Sequence, residues 1–93
     1  MSDDTTQGEL IRLFEKAGKA HHAAYEDTDG ADPDWPIWYA DYLHTDLTRL
    51  LKTTFTRSEL VYLLVGLDKE IQQRAPGANW HRYYAKALIG RYL

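Results

Sequence analysis

Apolar positions in this chain recur three or four residues apart, in four runs separated by turn-forming residues, and nowhere alternate as a strand would require. The first run sets Leu10, Phe14, Ala17, His21 and Tyr25 on one stripe of a helix. Thr6 and Glu9 have capping-box spacing, in which the hydroxyl takes the Glu9 amide and the carboxylate returns to that of Thr6. Together they predict a helix over about 6–26. The acidic stretch 26–34, with Gly30 and Pro33, breaks the pattern. Asp34 is a suitable N-cap for a second helix, because Pro36 then lies in the first turn, where its missing amide is no loss. That helix runs to about Lys52. Thr56 and Glu59 open a third helix with the same capping box, and Leu60, Leu64, Leu67 and Ile71 form its stripe until Pro76 and Gly77 stop it. Asn79 caps a fourth, whose aromatic face is Trp80, Tyr83, Tyr84 and Ala87.

The runs repeat one another. Residues 6–14, TQGELIRLF, return from Thr56 as TRSELVYLL, and residues 34–43, DWPIWYADYL, return from Asn79 as NWHRYYAKAL. Short connections favour antiparallel neighbours, so each copy predicts an αα-hairpin. An isolated hairpin leaves one apolar face uncovered, and a second, similar hairpin can cover it. The expected fold is all-α: a single domain over 1–93, a four-helix bundle built from two duplicated αα-hairpins (about 6–52 and 56–93) related by a pseudo-twofold axis. Positions shared by both copies, such as Leu10/Leu60, Leu13/Leu63, Trp35/Trp80, Tyr39/Tyr84, Ala40/Ala85 and Leu43/Leu88, are assigned to the core.

Positions where the copies differ carry the candidate chemistry. His21 and Tyr25 stand where the second copy has Ile71 and Ala75; Asp68 stands opposite Gly18; Tyr42 and Asp46 stand opposite Ala87 and Arg91. A histidine and two carboxylates directed at one small core are costly unless they pair or bind something. One expectation is an internal network in which His21 bonds Asp68 or Asp46. The other is a ligand pocket lined by His21, Tyr25, Trp35, Trp38, Tyr39, Tyr42, Asp46 and Asp68, since helix bundles build such sites from facing helices.

Composition narrows the classes. A net charge of −3 lacks the strongly basic face of a nucleic-acid binder, so no nucleic-acid partner is expected. With no cysteine there is neither a disulfide nor a thiolate metal site. The acidic amino terminus is unlike a secretory leader, and the longest apolar stretch, 60–67, is far short of the ~20 residues that span a bilayer. A cytoplasmic protein without a membrane partner is expected. His21 and His22 point about 100° apart on a helix and cannot readily share an ion. His22 and Glu26 have ligand spacing but no third member, and His44 and His81 read as exposed helix surface. No register of the 27–34 loop satisfies an EF-hand, so it reads as a solvated acidic turn. No nucleophile motif or phosphate loop accompanies His21, so no catalytic residue and no cofactor are assigned. Arg49, Lys52 and Arg57 cluster at the junction of the copies and read first as a solvated face, with docking of an acidic partner, such as the 27–34 loop of a second copy, as the alternative.

The pattern Ala20-His21-His22, Tyr25, Trp35-Pro36 and Trp38-Tyr39-Ala40-Asp41-Tyr42-Leu43, followed by Ser58-Glu59-Leu60-Val61-Tyr62-Leu63-Leu64 and Leu67-Asp68-Lys69-Glu70, resembles that of short bacterial all-helical proteins without an assigned activity. The resemblance covers most of the chain and implies a cytoplasmic bacterial setting; no role carries over from it. Functionally, the sequence is expected to be a non-enzymatic helical interaction module that self-associates as a homodimer or binds a protein partner. The alternative is a small-molecule or metal-binding bundle with a polar core site at His21.

Overall fold

The computed structural model describes the backbone over residues 2–93 and the side chains from Thr5 onward. Its described residues form four α-helices and no strand: α1 (Ser2–Ala24), α2 (Trp35–Leu51), α3 (Arg57–Arg74) and α4 (Trp80–Tyr92), with one 3-10 turn at Glu26–Thr28 between the first two. No helix is long and apolar enough to cross a membrane among the described residues.

Local chemistry explains where these helices start. At α3, the Glu59 amide donates to Thr56 Oγ1 at 3.0 Å and the Thr56 amide donates to Glu59 Oε1 at 2.8 Å, so the capping box is complete. Asn79 Oδ1 accepts from the Arg82 amide at 3.1 Å and caps α4. Two caps depart from the sequence expectation. α1 begins a turn early, leaving Thr6 and Glu9 inside it; residues 2–7 contain neither glycine nor proline, so backbone bonding runs straight through the intended box. Asp34 occupies the N-cap position of α2 without a side-chain bond to the helix. Its own amide instead donates to Asp32 Oδ1 at 3.0 Å, so Asp32 organises the entry to α2.

Leu10, Phe14 and Ala17 of α1, Leu43, Leu47 and Leu51 of α2, Leu60, Leu64 and Leu67 of α3, and Tyr84, Ala85 and Leu88 of α4 form one buried cluster. Burial follows the sequence repeat: Leu10, Phe14, Ala17 and His21 are buried at the same spacing as Leu60, Leu64, Leu67 and Ile71. Leu13 and Leu63, expected in the core, are only half-buried.

The helices pair less evenly than the repeat suggests. α2 packs along α3, and α1 packs along both α4 and α2, but α3 and α4 meet at few positions. Phe14 draws α4 onto α1, with its ring centroid 5.8 Å from those of both Trp80 and Tyr84. α3 and α4 are tied chiefly by polar groups, Glu70 accepting from the Tyr83 hydroxyl at 2.9 Å and from Arg91 at 2.7 Å. The basic cluster at the junction is largely spent within the fold, since Arg57 pairs with Asp41 at 2.6 Å and Arg49 with Asp46 at 3.4 Å.

The contrast between the two boxes is testable. Thr56→Ala removes a working cap and should cost about 1 kcal/mol in urea unfolding. Thr6→Ala, inside a helix, should cost nothing measurable or gain a few tenths of a kcal/mol.

Candidate functional site

All four helices and the loop after α1 contribute to one cavity of about 310 Å³. His21 stands at the last turn of α1; Gly30 and Asp32 come from the loop; Trp35, Tyr39 and Leu43 descend one face of α2; Leu64 and Asp68 come from α3, and Trp80 and Tyr84 from α4. A shallower depression shares His21, Gly30, Tyr39 and Trp80 with it and continues outward past Glu15, Lys19 and His81.

His21 is buried, 8% exposed, and held on every side. Its Nε2–H donates to Asp32 Oδ2 at 3.1 Å, and the Asp32 side chain is itself only 5% exposed. The imidazole lies between Tyr25 and Tyr39, each with its centroid 4.9 Å away and tilted by 32° and 26°. Trp38 closes a third side edge-on at 5.0 Å and is backed by Tyr42, stacked on it at 5.1 Å. A hydrogen bond made by a buried group to a carboxylate is among the stronger protein hydrogen bonds, and this one pins the 29–34 loop to α1.

The partner of His21 is therefore Asp32, not Asp68 or Asp46. The two expected carboxylates failed for different reasons. Asp46 is displayed outward, its side chain 43% exposed, and meets Arg49 on its own helix. Asp68 does reach the cavity wall, but its carboxylate accepts from Gln72 one turn on, at 3.2 Å. Of the expected pocket residues, His21, Trp35, Tyr39 and Asp68 line the cavity. Tyr25 and Trp38 buttress His21, Tyr42 buttresses Trp38, and Asp46 lies elsewhere.

Sequence reasoning missed Asp32, which was assigned to a solvated turn, and Trp80 and Tyr84, which were assigned to the core as shared positions. The Asp-Pro step at 32–33 was the available signal for Asp32, as a turn-initiating pair whose carboxylate is free to bond elsewhere.

The cavity lies beside Leu64 rather than beside Phe14, its counterpart in the first copy. Phe14 is fully buried against Trp80 and Tyr84, whereas the shorter Leu64 leaves space at the wall. Gly18 has a related role: a Cβ there would sit 3.3 Å from Trp80 Cζ2, so the missing side chain lets the indole lie against α1. At Gly30 the backbone is left-handed (φ +83°) and a Cβ would come within 3.0 Å of the His22 ring, so two constraints select glycine.

The phenols around the site are held protonated. Burial raises Tyr84 well above its ordinary range, helped by the negative charge of Asp68 and by Tyr39. Tyr39 and Tyr25 are also raised, first by burial and then by Asp32. His44 and His81 are not the exposed surface residues expected. His44 is half-buried and its Nε2–H donates to the Phe55 carbonyl at 2.7 Å. His81 stacks on Trp80 at 4.1 Å and donates to Asn79 Oδ1, and burial lowers its pKa against a smaller opposing pull from Glu15. His22 and Glu26 are both exposed, and no group of three or more His, Asp or Glu that could hold a metal ion occurs among the described residues.

No protein family, no curated protein and no solved structure matched this chain in comparison.

Asp32→Ala removes the acceptor for both His21 and the Asp34 amide and should cost about 1–3 kcal/mol in urea unfolding. Asp46→Ala should stay within about 0.5 kcal/mol. The His81 ring should titrate by NMR below the ordinary 6.5. Because its folded pKa is depressed, His81 contributes stability that is present above the unfolded value and lost as pH falls through the folded one.

Proposed function

We propose that this protein is a small non-enzymatic binding module whose ligand sits in the cavity beside His21, either as a free small molecule or as a side chain presented by a protein partner. One observation carries this reading: a recess of about 310 Å³, at the lower end of the range for ligand sites, whose aromatic and apolar walls converge with His21, Asp32 and Asp68. In this reading the two duplicated hairpins, related by a pseudo-twofold axis, form the scaffold. Their unequal side chains at Phe14/Leu64 and Gly18/Asp68 turn one end of a packed bundle into a receptacle. His21 and Asp32 then serve as structural members of the wall, already bonded to each other, and the binding role falls to the groups around them. The proposed setting is a bacterial cytoplasm, without membrane or nucleic-acid partners.

Self-association is the second reading, favoured by Tyr62 on α3 and Ile37 on α2, which are 82% and 61% exposed. Large apolar side chains at the surface are the usual anchors of protein interfaces.

Native mass spectrometry of untagged protein, together with tryptophan NMR shifts in a small-molecule screen, tests the cavity reading. The expected result is an occupied or fillable site that Leu64→Phe blocks while leaving the helical circular dichroism intact. A chain that carries no added mass and responds to no small molecule would sink it. A dimer in sedimentation velocity that Tyr62→Glu dissociates would favour the second reading instead.

A further inference from the structure

Resting on that reading, we propose that the cavity recognises an organic cation, an alkylammonium or quaternary ammonium group, through an aromatic cage closed by carboxylates. Four rings supply the walls, and each meets the next near a right angle. Trp35 and Tyr39 cross at 78°, Tyr39 and Trp80 at 85°, and Trp80 and Tyr84 at 71°. Every one of the four lines the cavity. The faces of such rings carry negative electrostatic potential, and several of them around one volume attract a desolvated cation more strongly than a neutral molecule of equal size.

The formal charges that line the recess itself are acidic. Asp32 and Asp68 both reach it, and no lysine or arginine lines it. Asp32 is engaged by His21, but no cationic side chain pairs with Asp68 among the described residues. The Asp68 carboxylate is bonded only to the neutral amide of Gln72, which leaves its charge uncompensated at the rim of an aromatic space. Both carboxylates are felt inside the site: Asp68 helps hold the Tyr84 phenol protonated and Asp32 that of Tyr39. An anionic ligand would meet two like charges among aromatic walls that offer it no cation. A neutral apolar ligand would leave Asp68 partly desolvated without a partner, at a penalty. A cation with a small apolar body satisfies the carboxylate and the rings together, and Leu43 and Leu64 supply apolar contact for that body.

The test uses choline and its uncharged isostere 3,3-dimethyl-1-butanol, titrated against the full chain and followed by tryptophan fluorescence and indole N–H NMR shifts. Choline should bind, and the neutral isostere should bind about ten-fold more weakly. Asp68→Asn, which preserves shape and the contact to Gln72, should weaken choline several-fold and narrow its advantage over the isostere, whose own binding should not change. Two short peptides, one with lysine and one with trimethyllysine, separate the sources of the cation. Peptide binding far above that of choline identifies a ligand presented by a protein, and comparable or weaker binding identifies a free amine. Equal binding of choline and the alcohol, insensitive to Asp68→Asn but abolished by Leu64→Phe, would overturn the cation and leave the cavity standing. Failure of all four probes in a chain that still takes up another molecule would do the same. No response to any molecule would remove both.

Discussion

The pairing of His21 with Asp32 is the interaction on which the rest of the site depends. An imidazole at the inner face of a helix has to find a hydrogen-bond partner or leave a polar atom stranded, and on this chain the partner comes from the loop that follows. Drawing Asp32 inward brings Gly30 with it, seats the His22 ring over that glycine, and uses the second oxygen of Asp32 to set the start of α2. The orientation of Trp35 and Tyr39 follows, because both lie within the first turns of that helix. A single buried hydrogen bond thus couples the end of α1, the shape of an acidic loop and two walls of the cavity. The aromatic enclosure of His21 by Tyr25, Trp38 and Tyr39 leaves the imidazole little exposed, and a less polar surrounding strengthens its bond to Asp32.

The sequence repeat recurs in the buried stripes of α1 and α3, and the cavity is lined where the two halves of the repeat differ. α1 and α3 bury the same stripe, so these two helices have equivalent inner faces. A phenylalanine in one copy fills the space between α1 and α4; a leucine in the other leaves space beside α3. A glycine in one copy admits an indole, where the other copy has a carboxylate at the cavity wall. Packing is dense enough in protein interiors that a difference of a few carbon atoms decides whether a volume is filled or open. The loose contact between α3 and α4 belongs to the same asymmetry, since each of these helices is drawn instead toward the first hairpin.

Helix number, helix class and the identity of the buried stripes were legible in the chain, because helical periodicity and capping chemistry act over a few residues. The Thr56–Glu59 box and the Asn79 cap formed as their spacing requires. His21 was recognisable as an anomaly from its place on an apolar stripe, and Asp68 from the mismatch between copies; Trp35 and Tyr39, shared by both copies, were legible only as aromatic neighbours of that stripe. The same local rules misplaced the start of α1, where two permissible outcomes competed and continuation of the helix prevailed.

The sequence by itself determined an all-helical chain with a repeated inner face and one polar side chain that had to be satisfied inside it. Only the tertiary structure decided which carboxylate satisfies it, because Asp32, Asp46 and Asp68 are chemically alike and differ only in where the backbone carries them. It also decided that Trp80 and Tyr84, counted as ordinary core, have one side open to a cavity. Local pattern records which residues turn inward, but the distance between side chains on separate helices depends on how the helices cross, and that geometry is set by the packing of all four at once.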